Sequence, residues 1–225
     1  MTAGRRDDRI LAATGIGGAG LLGVSLSTRP GSPQFYLLTL GLAGTWAAGA
    51  LHSGPGPLSG LDHRASAAAV AGPVLTGAAA FGLFYGAARV ARRIPPLSRA
   101  VGSVLRYAHR GAPPLVFLTA GTNAVAEELF FRGALWAAVP APITTTTVAY
   151  AAAVAATRNP ALVAAGAATS VLFGYQRRIT GGVLAPALSH VTWSLLMLYF
   201  LPRLFPPADP PAGGNGPARQ PAAGS

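Results

Sequence analysis

Two adjacent glutamates, Glu127 and Glu128, are the residues of this chain best suited to chemistry. They are its only glutamates, in the stretch Asn123-Ala-Val-Ala-Glu-Glu-Leu-Phe-Phe-Arg-Gly133, with Arg132 four residues after the second. The surrounding run, residues 113–139, carries no other charge. An unneutralised acid in hydrocarbon costs about 2.5–3.5 kcal/mol on insertion scales, so an acidic pair in such a run marks a functional site. Residues four apart share a helix face, so Glu128 and Arg132 are expected to pair. Helix geometry turns Glu127 about 100° from Glu128 and away from that arginine. An acid without an ion partner in an apolar site suits proton transfer near neutral pH. Asn123, four residues before Glu127, shares its face, and its amide is expected to steady the carboxylate. The spacing divides the labour: Glu128 and Arg132 form a structural pair, Asn123 gives structural support at the Glu127 carboxylate, and Glu127 is the group left for general acid or base chemistry.

His190 is the second candidate, in Pro186-Ala-Leu-Ser-His-Val-Thr-Trp-Ser194 near the start of the last apolar run. Histidine is the usual proton carrier or metal ligand near pH 7. Ser194 lies one turn on, on the same face, where it could orient the ring or donate to an oxyanion. His52 and His63 flank a Pro/Gly-rich loop and His109 lies among arginines, so all three read as solvated or interfacial. Phe130, Phe131, Trp136 and Trp193 read as packing or lipid contacts.

The elements that must hold these residues look like membrane helices. The chain is 51% hydrophobic and 10% charged, with mean hydropathy +0.44; soluble domains carry about 25% charged residues. Segments 10–28, 30–61, 65–88, 111–126, 133–157, 159–176 and 179–202 contain no charge, and a bilayer-spanning helix needs about 20 mostly apolar residues. The expected fold is all-α: a multi-pass transmembrane bundle of about six to seven apolar helices. Helices are predicted over 10–28, 34–51, 66–90, 113–139 and 183–201, with two short ones at 144–157 and 161–175. Residues 97–107 repeat apolar side chains at helical spacing between arginines, the pattern of an interfacial helix or a basic connector. Three regions follow: residues 1–112 hold N-terminal spans and this connector, 113–203 hold the motif-bearing core, and 204–225 form a disordered Pro/Gly-rich tail.

The formal net charge is +11, and every Lys-or-Arg position is arginine. These arginines sit at segment ends, where they anchor helices and set topology, so the partner is the bilayer and not nucleic acid. The positive-inside rule places the cluster at 89–110 in the cytoplasm. The absence of cysteine excludes thiol catalysis, cysteine metal ligands and disulfides.

Glu127-Glu-Leu-Phe-Phe-Arg-Gly133 resembles the Glu-Glu-x-x-x-Arg motif of the CPBP (ABI) family, the type II CAAX prenyl endopeptidases and bacteriocin-processing proteins. Phe173-Gly-Tyr-Gln-Arg-Arg-Ile-Thr-Gly-Gly-Val-Leu-Ala-Pro-Ala-Leu-Ser-His190 resembles the approach to that family's final His-x-x-x-Asn motif. The resemblance covers residues 113–201 in the right order. It implies an intramembrane endopeptidase of a bacterial plasma membrane acting on a peptide or membrane-protein substrate. Glu127 would activate the attacking water. Glu128 and Arg132 would support the site, and His190, with Ser194, would stabilise the reacting centre.

Two positions depart from the family pattern. Ala156 stands where the middle-motif histidine belongs, and Ser194 stands in place of the final asparagine. A divalent metal such as zinc would find Glu127 and His190, fewer than the three protein ligands of an ordinary catalytic site. The competing reading is therefore a catalytically inactive family descendant with a binding, immunity or scaffold role. A proton- or cation-coupled transporter ranks third, since no other apolar segment supplies a facing acid. Glu127 and His190 are expected to converge, with Ala156 or a neighbour lining the gap left by the absent histidine.

Overall fold

The computed structural model describes residues 3–52 and 67–206. The expected loop around His63 and nearly all of the expected tail lie outside them. The elements are α1 (Ala3–Ser25), α2 (Pro33–His52), α3 (Ala67–Ala91), α4 (Pro95–Arg110), α5 (Pro113–Glu128), a π-helical turn (Leu129–Leu135), α6 (Trp136–Ala138), α7 (Pro142–Ala155), α8 (Pro160–Thr180) and α9 (Leu184–Leu204). No strand occurs among the described residues. The helix starts follow local chemistry. Proline occupies the first turn of α4, α5, α7 and α8, where its missing N–H has no intrahelical partner to lose. Asn159 caps α8 by accepting from the backbone N–H groups of Ala161 and Leu162.

Two of these helices, Ala69–Ala91 within α3 and Leu184–Leu204, are long and apolar enough to cross a membrane. Of the six to seven spans expected, two meet that test among the described residues. Among the others, α4, α5 and α7 are short, at 16, 16 and 14 residues, and α1 and α8 carry charged ends. Large apolar side chains nevertheless face outward on several helices. Ile16, Leu37, Leu75, Leu83 and Val148 are all more than 60% exposed, a surface suited to hydrocarbon rather than water. The first helix, expected from residue 10, begins at Ala3, so the charged residues Arg5 to Arg9 form its first turns. The continuous helix expected over 113–139 is α5 joined to α6 through the π-helical turn.

The core forms where α1, α2, α5, α7 and the π-helical turn meet. Trp46 is buried against Phe130 and Phe131, with ring centroids 4.9 and 5.1 Å away. Gly18 of α1 lets the Trp46 ring approach, since a Cβ there would come within 2.3 Å of it.

On the other side of the bundle, α3 packs on α9. A Cβ on Gly77 would lie 2.5 Å from the Ser189 carbonyl oxygen. The Ser189 hydroxyl donates to the Pro73 carbonyl oxygen at 2.8 Å, tying the two helices one turn away. Gly77→Val should destabilise the protein by roughly 1–3 kcal/mol through overpacking. Thermal unfolding in detergent reads this directly; an unchanged melting temperature would contradict the close α3–α9 contact.

Candidate active site

Glu127 and Glu128 end α5, and the π-helical turn follows at once. Such turns hold an extra residue per turn and recur at functional sites. Here the turn buries the consecutive residues Phe130, Phe131, Arg132, Gly133 and Ala134, more than one face of a regular helix could turn inward. The Arg177 Nε group of α8 donates to the Arg132 carbonyl oxygen at 2.8 Å, supplying a partner to the backbone of this irregular turn.

The two glutamates have different surroundings. The Glu128 side chain is fully buried, as is that of Arg132, and Arg132 Nη1 donates to Glu128 Oε1 at 3.0 Å. The guanidinium also lies over the Tyr150 and Phe173 rings, 5.3 and 5.7 Å from their centroids. These contacts offset part of the cost of burying a cation. The Glu127 side chain retains 13% exposure and lines a cavity of about 200 Å³ with Thr39, Thr119 and Asn123. Its Oε2 accepts a 2.6 Å hydrogen bond from the Tyr150 hydroxyl of α7.

His190 stands between the two acids. Its Nδ1 lies 2.9 Å from Glu128 Oε1, and its Nε2 lies 4.0 Å from Glu127 Oε2. With Nδ1–H donating to Glu128, the Nε2 lone pair is left on the Glu127 side. The ring is buried and packs on Phe173, centroid to centroid 5.0 Å. Proline at 186 does not disturb this helix, because it falls in the first turn of α9.

Tertiary packing brings Glu127, Glu128, Arg132 and His190 together. It does not bring Asn123 to the carboxylate. The Asn123 amide donates to the Thr39 and Thr119 carbonyl oxygens, at 3.0 and 2.9 Å, and so ties α5 to α2. That assignment is corrected: a backbone acceptor on α2 competes for the same N–H groups. Ser194 lines an adjoining apolar cleft with Trp193 and Met197, and Leu198 of α9 borders both that cleft and the Glu127 cavity. Ala156 is exposed at the end of α7, with its carbonyl against Gly23 of α1, and does not fill the histidine gap. The residue that reaches Glu127 from α7 is Tyr150.

Tyr150 lies outside both motifs, and Phe173 and Arg177 stand in the quoted stretch before His190 without a role; all three contact the site. Tyr150 had a visible signal, as the only aromatic residue in an Ala/Thr/Val-rich stretch from 143 to 172. Nothing local shows that its hydroxyl meets Glu127, 23 residues earlier.

The donor set does not suit a catalytic zinc, which requires three protein ligands and an open position. Glu128 is committed to Arg132 and to His190 Nδ1, leaving Glu127 and His190 Nε2 with the weakly coordinating Tyr150 hydroxyl beside them.

Residues 109–196 match the family model for Type II CAAX prenyl endopeptidase Rce1-like proteins. No curated protein and no solved structure matches the chain. The family match spans the Glu-Glu-x-x-x-Arg motif, Tyr150 and His190, the residues that meet in three dimensions. Together with two membrane-length helices, this places the chain at a membrane. Over residues 109–196 the chain is similar to the Rce1-like type II CAAX prenyl endopeptidases.

Proposed function

We propose that the chain is an intramembrane endopeptidase of the CAAX-protease type, hydrolysing a peptide bond near the membrane face of a bacterial plasma membrane. Its remaining long helices would complete a multi-pass bundle around α3 and α9. One observation carries the reading: Glu127 borders a cavity with His190 Nε2 4.0 Å away, while Glu128 is sealed into an ion pair. A separation of 4.0 Å is too long for a direct hydrogen bond and suits one water oxygen held between the groups. Glu127 takes a proton from that water, and the hydroxide adds to the substrate's carbonyl carbon. The His190 Nε2 lone pair accepts from the water's other hydrogen and orients it for attack, and the proton held by Glu127 passes to the leaving amine nitrogen as the C–N bond breaks. Glu128 holds the imidazole in orientation and Arg132 holds Glu128. Ser194 takes no step in this scheme.

The test uses purified full-length protein and a mixed pool of peptides and membrane proteins. Products formed by the wild type and missing with Glu127→Ala are expected; identical product patterns would sink the proposal. Tyr150→Phe keeps the ring under Arg132 and deletes only the hydrogen bond to Glu127. Turnover should fall about tenfold, the scale of one lost hydrogen bond of about 1.5 kcal/mol to a charged group. Folding should be unchanged, and steady-state kinetics beside a melting curve checks both.

A specific observation favours a second reading, a non-catalytic family member. The α7 position facing Glu127 holds a tyrosine hydroxyl rather than an imidazole. A wild type that yields no products beyond those of Glu127→Ala would decide for it.

A further inference from the structure

Helix α4 lies across one end of the bundle. Asn159 at the head of α8 donates to the Ala100 carbonyl oxygen and to the Ser103 hydroxyl. The Tyr107 hydroxyl donates to the Leu26 and Thr28 carbonyl oxygens just beyond α1, and His109 contacts the Phe205 carbonyl oxygen beyond α9. Burial pushes the Tyr107 phenol above its ordinary range against the opposing effect of Arg106, so the hydroxyl keeps the proton it donates. The same end collects the C-termini of α1, α3, α7 and α9.

Arginine dominates this end. Arg92, Arg93, Arg99, Arg106, Arg110 and Arg158 are all exposed. Among the described residues the carboxylates are Asp7 and Asp8, at the start of α1, and the site pair Glu127 and Glu128. None of them pairs with these arginines among the ion pairs found.

The opposite face of α4 is apolar. Ile94, Leu97, Val101 and Val104 recur at helical spacing and roof a cleft of about 750 Å³. Its other walls include Ala88 of α3, Ala165 of α8 and Met197 of α9. Thus α3 and α9, the two helices of membrane length, line the cleft at the end where α4 and its arginines lie. At that depth a bilayer places its headgroups above and its acyl chains below.

We propose that this end of the protein binds one anionic phospholipid, with the headgroup phosphate on the arginines around α4 and an acyl chain in the cleft beneath it. Charge complementarity selects the headgroup. The almost wholly apolar cleft wall selects a hydrocarbon chain.

Native mass spectrometry of the full chain, released from mixed micelles of phosphatidylglycerol and phosphatidylcholine, tests the proposal. Phosphatidylglycerol should be retained in clear preference. The triple variant Arg99→Gln/Arg106→Gln/Arg110→Gln should lose about fivefold in that preference for each arginine removed. Ala165→Phe, which narrows the cleft from α8, should reduce retention of the lipid with the arginines intact. Glu127→Gln should bind as the wild type does, which separates lipid binding from peptide hydrolysis. On the unmutated chain, raising the salt should weaken the preference by screening the exposed arginines, so the result survives any failure of a variant to fold. Equal retention of the two lipids, an unaltered preference in the folded triple variant, or full displacement by inorganic phosphate would overturn the proposal. So would displacement by an apolar peptide in place of lipid.

Discussion

Replacing Arg132 with leucine should cost about 3–5 kcal/mol of stability, the scale seen when one member of a buried ion pair is removed. The reason is the environment of Glu128. Its side chain is fully buried and its Oε1 is shared between Arg132 Nη1, at 3.0 Å, and His190 Nδ1, at 2.9 Å. Without the guanidinium, the carboxylate keeps one partner in a site closed to solvent. The aromatic faces of Tyr150 and Phe173 lose the cation they flank. The double variant Glu128→Leu/Arg132→Leu should recover a large part of the loss, because it removes the unpaired charge as well as the pair. Melting curves of the three proteins in one detergent measure this. A double variant less stable than Arg132→Leu would show that the pair does more than neutralise itself.

Glu127→Gln should behave in the opposite way. Its carbonyl oxygen can still accept from Tyr150, and the position borders a cavity, so the melting temperature should stay within a degree or two of wild type. Peptide hydrolysis should fall by about 10²–10⁴-fold, the usual contribution of a positioned general base. Kinetics and melting together separate the two neighbouring glutamates: one substitution removes activity and spares the fold, and loss of Glu128's ion partner damages the fold itself. If Glu127→Gln lowered stability as much as Arg132→Leu, the assigned division between a base and a strut would be wrong. If hydrolysis persisted unchanged, the base would have to be another group.

Much of this site was legible because its first relationship is local. Residues 128 and 132 meet on any helix, and their pairing at 3.0 Å follows from a spacing of four. The turns that separate helices were equally readable from Pro140, Pro142, Asn159, Pro160 and Gly181, since proline and capping residues act within a few positions. The amphipathic character of α4 was legible for the same reason, as arginines and apolar residues alternate there with helical period.

Other features depended on which helices pack together. Asn123 could have met Glu127 by spacing, but the carbonyl of Thr39 on α2 lies within reach and takes the amide. Tyr150 carries no motif, and it becomes a site residue only because α7 packs beside the π-helical turn. The π-helical turn itself is invisible to a periodicity that assumes 3.6 residues per turn. His190 was recognisable from its flanking residues, yet its position between two carboxylates comes from α9 crossing α5 62 residues later in the chain. The helices and the Glu128–Arg132 pair thus follow from local sequence, because they rest on contacts within one turn. The groups around Glu127 are set by helix packing, because those contacts join helices far apart in the chain and local propensity cannot encode their approach.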